Sequence, residues 1–89
     1  MTFSIVARCA ATGQFGMAIS SSSPAVAARC SHVRAGVGAV ASQNITDPAL
    51  GPAGLALLRQ GLGAGAVLQN LLAGTPQPEY RQVGVIDRY

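Results

Sequence analysis

The sequence predicts an α+β fold with elements in the order β-β-β-α-α-β. Three observations carry this. Residues 2–9 and 15–20 alternate with a strand period on either side of a glycine-containing turn. Gly36 to Gln43 is a run of small, mostly apolar residues bounded by polar ones. Ala64, Val67, Leu68, Leu71 and Leu72 recur at the spacing of one helix face.

Taken in order, Thr2 to Cys9 places Phe3, Ile5, Ala7 and Cys9 on one side and Thr2, Ser4, Val6 and Arg8 on the other. Ala10 to Gln14 is the turn, with Gly13 available for positive φ. Phe15, Met17 and Ile19 share a face of the second strand, so the two segments form a hairpin. Ser20 to Pro24 breaks the pattern, and Pro24 to Ser31 fits a short helix or a loop equally. The length and valines of Gly36–Gln43 predict a strand buried on both faces, with Gly36 and Gly38 permitting close approach of another element.

Asn44-Ile45-Thr46-Asp47-Pro48 is a helix-entry signal, with Asp47 as N-cap and Pro48 at the first helical position. Pro52 puts the start of the regular helix at Gly51-Pro52, and Gly61 ends it. The next helix ends at Gly74. Thr75 to Pro78 is a stiff linker, and Arg81 to Asp87 alternates weakly as a last strand.

Eighty-nine residues allow one domain at most. The composition, 49% hydrophobic and 10% charged, is the opposite of a disordered tail. The net charge of +3 comes from six scattered arginines with no lysine, so there is no basic stripe for nucleic acid. No apolar run approaches the roughly 20 residues that span a membrane, and the N-terminus lacks a signal-peptide pattern, so the expected setting is cytoplasmic. Few charges remain to cover a surface of which a chain this short buries only about 60–65%. A homo-oligomer, or a second chain that completes the fold, is therefore expected. The final strand reads as the first arm of a hairpin, so residues 1–89 are expected to form a single, partial domain.

Several residues invite chemistry. Thr2 follows the initiator methionine. Removal of the methionine places a hydroxyl nucleophile and an α-amine, its potential base, on one residue; a structural threonine is the plain alternative. Ser20 to Ser23 could supply hydroxyls or simply form a polar turn, and no serine sits in a nucleophile-elbow context. Cys9, Cys30 and His32 admit a thiol–imidazole dyad, but the chain is too poor in ligands for a metal site. Cys9 reads as a small buried residue of the apolar strand face, and a Cys9–Cys30 disulfide is conceivable but unexpected in a reducing compartment. Arg34 is either an anion partner or a solvated strand end. Gln43 and Asn44 carry amides that could donate to an oxyanion or cap a turn. Asp47, Glu79 and Asp87 are too dispersed for a paired-carboxylate mechanism, and no glycine cluster has the form of a phosphate loop. No cofactor is expected.

The opening Thr2-Phe3-Ser4-Ile5-Val6-Ala7-Arg8, the turn Thr12-Gly13-Gln14-Phe15-Gly16 and the run Ala35-Gly36-Val37-Gly38-Ala39-Val40-Ala41 resemble the family known as domain of unknown function 1028. Gly51-Pro52-Ala53-Gly54-Leu55-Ala56-Leu57-Leu58 and Arg81-Gln82-Val83-Gly84-Val85-Ile86-Asp87 resemble it as well, so the likeness spans essentially the whole chain. That family is similar to the N-terminal nucleophile hydrolases. The resemblance implies an αββα sandwich of which this chain supplies about the first half. It also implies hydrolysis of a small amide or peptide-like substrate through a Thr2 acyl-enzyme. Ser22 then supports the threonine, Arg34 takes the place of a lysine that lowers the nucleophile's pKa, and Gln43 or Asn44 lies near the oxyanion hole. The alternative is a non-catalytic ligand-binding or assembly protein of the same fold. A thiol enzyme built on Cys30 and His32 is a third reading.

Overall fold

The computed structural model describes residues 2–44 and 47–89, apart from the side chains of Arg29, Asn44 and Tyr80. Strict alternation and a turn with Gly13 at φ 75° produce the expected hairpin. It consists of β1 (Thr2–Arg8) and β2 (Phe15–Ser21), antiparallel with Thr2 opposite Ser21 and Arg8 opposite Phe15. A short helix α1 (Ala27–Cys30) then leads into β3 (Ser31–Arg34). The remaining elements are β4 (Gly38–Asn44), α2 (Leu50–Arg59), α3 (Ala64–Gly74), one 3-10 turn (Pro78–Tyr80) and β5 (Arg81–Asp87). The chain is thus a mixed α+β structure with two sheets, β1-β2 and β3-β4-β5, and two main helices.

The run that reads as a doubly buried strand is β4, and it is the centre of the molecule. Ala39, Val40 and Ser42 are fully buried and Ala41 nearly so. Antiparallel register gives β4 two faces. Val40 shares one with His32 and Val85, which stand opposite it on β3 and β5. Here Val40 packs with Leu50, Leu55, Leu58, Val67 and Leu71 of the two helices. Ala39, Ala41 and Gln43 lie on the other face, toward the hairpin. The layers are therefore hairpin sheet, three-stranded sheet, helices.

Glycine sets two of these approaches. A Cβ on Gly38, whose φ is 155°, would lie 2.5 Å from the Ile86 carbonyl oxygen and 2.8 Å from Leu58 Cδ1. A Cβ on Gly54 would lie 3.0 Å from Val40. Gly36, by contrast, serves as a turn residue at φ 73° ahead of the strand, which begins at Gly38.

Three expectations change. The order contains a strand, β3, that falls in a stretch with no strand signal. Ser31-His32-Val33-Arg34 has one aliphatic residue and becomes a strand because β4 needs a hydrogen-bonding neighbour on that edge. Helix α2 starts at Leu50, a residue earlier than Pro52 suggests. Pro52 is tolerated because first-turn N–H groups have no intrahelical acceptor. Asp47 accepts the Ala49 N–H at 3.1 Å in the turn ahead of the helix, but the N-cap is Ala49 and Pro48 precedes the helix rather than opening it; Ile45 and Thr46 of the entry signal lie outside the described residues. Finally, the Phe3/Ile5/Ala7/Cys9 face of β1 points outward. Phe3 and Ile5 are 64% and 63% exposed, and Cys9 is exposed rather than buried. The hairpin turns its Phe15/Met17/Ile19 face to the second sheet. Residues opposite one another across a hairpin share a face, so Val6, Ser4 and Thr2 go inward with them.

Burial at the β4–helix core and exposure on the outer hairpin face give a direct contrast. Leu58→Ala is expected to lower the unfolding free energy in urea by about 2–5 kcal/mol. Ile5→Ala on the open face should cost about 1 kcal/mol or less.

Candidate functional site

Thr2 opens β1 on the inward face, where the hairpin meets β4 and β5. Its Oγ1 lies 2.7 Å from Ser21 Oγ, directly opposite across the hairpin. Ser21 Oγ also accepts the Ser23 N–H at 3.1 Å, which fixes its position. Gln43 crosses from β4 to hold the strand carrying Thr2. Its Nε2 donates to the Thr2 carbonyl oxygen at 3.2 Å and to Gln82 Oε1 at 2.9 Å. Its Oε1 accepts the Ser4 hydroxyl at 2.9 Å. One amide thus ties β1, β4 and β5 together beside the threonine. Ser4, Gln43 and Gln82 also line a small cleft with Gly84, of about 200 Å³.

The sequence-predicted site residues are only partly brought together. Ser22 is exposed and lies one position past the end of β2, so the supporting hydroxyl beside Thr2 belongs to Ser21. Hairpin register decides this, and a boundary set at Ser20 conceals it. Arg34 is not near Thr2. It stands opposite Gly38 on the helix-facing side of the sheet. The Gly38 end of β4 is about 17 Å from Gln43 at a strand's rise of roughly 3.4 Å per residue. The backbone of Asn44 pairs with Arg81 at the end of β4, and its side chain lies outside the described residues. Gln43 has both amide hydrogens engaged, so in this arrangement it positions Thr2 rather than offering a free oxyanion donor. Sequence reasoning missed Gln82 and Ser4, whose only signal is alternation that puts them on the faces turned to Gln43.

The thiols do not form a site with one another. Cys9 is exposed in the hairpin turn and Cys30 is buried at the end of α1, and no disulfide joins them. The His32 ring lies against Gly51 of α2, on the helix side of the sheet, where a Cβ on that glycine would collide with it. Hydrogen bonding to Thr12, first through its side chain and then through its backbone, holds the Cys9 thiol below its ordinary pKa, with a further contribution from the Ala11 backbone. Among the described residues no three His, Cys, Asp or Glu side chains converge as metal ligands. No described helix is long and apolar enough to cross a membrane.

Two outcomes are expected from this geometry. Gln43→Leu removes three inter-strand hydrogen bonds and should cost about 1–3 kcal/mol in urea unfolding, leaving the Thr2 carbonyl without its partner. Iodoacetamide at neutral pH should alkylate Cys9 in the folded protein well before Cys30. Peptide mass mapping reads the order, and Thr12→Val should slow the reaction at Cys9.

No curated protein matches the chain. A crystal structure of a protein from Silicibacter pomeroyi, itself assigned to the DUF1028 family, superposes with a TM-score of 0.91 at 27% sequence identity. The superposition covers 98% of this chain and 41% of the other, so this chain spans well under half the length of that relative. The family described as "Family of unknown function (DUF1028)" matches residues 2–89. The hairpin, the doubly covered strand and the helix pair described above thus fall wholly within the match, and the chain belongs to that family.

Proposed function

We propose that this chain is the nucleophile-bearing part of an amide-bond hydrolase of the N-terminal nucleophile type, acting on a small amide or peptide-like substrate. The observation that carries the reading is the Thr2 hydroxyl, part-buried between the sheets and 2.7 Å from Ser21 Oγ. Among the described residues its only hydrogen-bond partner is that hydroxyl. His32 and Arg34 line a cleft on the opposite side of the three-stranded sheet. The base within reach of the Thr2 hydroxyl is then its own α-amine, once Met1 is removed.

The chemistry balances without an external co-reactant other than water. Thr2 Oγ1 attacks the amide carbonyl carbon while its proton passes to the α-amine. The tetrahedral intermediate collapses, the C–N bond breaks, and the ammonium returns the proton to the leaving amine. Water then hydrolyses the Thr2 ester by the same route, releasing the acid. Ser21 orients the attacking oxygen, and Gln43 fixes the backbone on which it sits. In the αββα sandwich of this enzyme type a helical layer covers the outer sheet. The exposed Phe3 and Ile5 face is where that layer would rest, supplied by a further segment or by a second chain.

The alternative, a ligand-binding or assembly protein of the same fold, is favoured by one observation. Both Gln43 amide hydrogens are already engaged, so among the described residues this amide does not stand open beside Thr2 for an oxyanion. The two readings separate experimentally. The intact mass of the native full-length protein should lack methionine, and amide hydrolysis in an acyl-amide screen should fall by about 10³-fold or more in Thr2→Ala. Ser21→Ala should retain the free amine with a smaller loss, roughly 10–100-fold. Retained methionine, or hydrolysis unaffected by Thr2→Ala, rejects the threonine mechanism.

A further inference from the structure

On the helix side of the sheet, away from Thr2, β3 and α2 enclose an open cleft of about 690 Å³. Two arginines from different elements face it: Arg34 at the end of β3 and Arg59 in the last turn of α2. His32 lines the same cleft, and Gln60 adds an amide at its rim. Pro52 and Leu55 supply an apolar wall. No carboxylate is among the lining residues, although the chain has three. Among the described residues, neither the Arg34 nor the Arg59 side chain takes part in an ion pair or a hydrogen bond.

Each feature has a plainer explanation by itself. A basic residue in the last turn complements the helix dipole, and an arginine at a strand end is usually solvated. Neither explains why two guanidinium groups from separate elements share one concave space without a counter-charge. Like charges brought together cost energy that a bound anion removes. Guanidinium forks match oxyanions in geometry as well as charge. The packing also holds the lining in place. The His32 ring occupies the space that a side chain on Gly51 would take, so the floor of the cleft is set where α2 passes β3.

We propose that the His32–Arg34–Arg59 cleft is a binding site for a small organic dianion, bearing either a phosphoryl group or two carboxylates. The arginines take the charged oxygens and the Pro52–Leu55 wall takes a short apolar body. The site is separate from Thr2, being on the other face of the sheet, so it stands or falls independently of the hydrolase reading.

Calorimetric titration and thermal unfolding of the native full-length protein test it, with inorganic phosphate and succinate as probes. One of the two should bind saturably below about 10 mM and raise the unfolding temperature with concentration. Tighter binding of phosphate assigns a phosphoryl ligand, and tighter binding of succinate assigns a dicarboxylate. Arg34→Gln and Arg59→Gln, both exposed and so expected to fold normally, should each weaken binding about tenfold or more. Arg8→Gln, on the hairpin, should leave it unchanged. Three results overturn the site: no saturable binding of either probe, an equal effect from sodium chloride at matched ionic strength, or undiminished affinity in both arginine variants.

Discussion

β4 is covered on both faces, and most of the structure follows from satisfying that one strand. A strand with no face in water must pair its backbone along both edges, which requires β3 on one side and β5 on the other. Its side chains must also be small where two layers close on it. Ala39 and Ala41 face the hairpin, while Val40 meets α2 across Gly54. Larger residues at these places would push the layers apart by more than local relaxation can absorb. The low charge content fits this geometry, since residues 38–42 of β4 and Leu50, Gly51, Gly54, Leu55 and Leu58 of α2 are all buried.

The same strand divides the polar chemistry into two regions. Alternation sends Gln43 toward the hairpin, where it meets Thr2 and Ser4. The equivalent alternation on β3 sends His32 and Arg34 toward α2. The sheet lies between them, so a cation near Thr2 in the linear sequence need not be near it in space. For a proton transfer that works only at hydrogen-bond distance, this separation is decisive. It leaves the threonine with hydroxyl and amide neighbours, while Arg34 and Arg59 line a cleft on the far side of the sheet.

Family membership fits this layout without supplying an activity. The Silicibacter pomeroyi relative shares the architecture across nearly all of this chain while extending far beyond it. Fold alone does not fix chemistry, because one framework can host unrelated sites. What distinguishes the readings is local, the state of the Thr2 amine; the arginine cleft on the other face of the sheet is a separate question.

Periodicity in the sequence determined the hairpin, the doubly buried strand, both main helices, the Gly61 and Gly74 helix ends and the last strand, because each depends on neighbours a few residues apart. Thr2 was legible as a candidate because its chemistry needs only its place in the chain. Tertiary structure decided the rest. Ser31–Arg34 carries no strand pattern of its own and pairs because β4 has an open edge. Alternation along β1 separates two faces but does not say which turns inward; packing of Phe15, Met17 and Ile19 against the second sheet made that choice and left Phe3, Ile5 and Cys9 outside. Ser21 rather than Ser22 stands beside Thr2 because cross-strand register, not sequence proximity, selects the partner. Arg34 joins Arg59 instead of Thr2 because a pleated strand sends alternate side chains to opposite faces, and only the assembled layers say what waits on each.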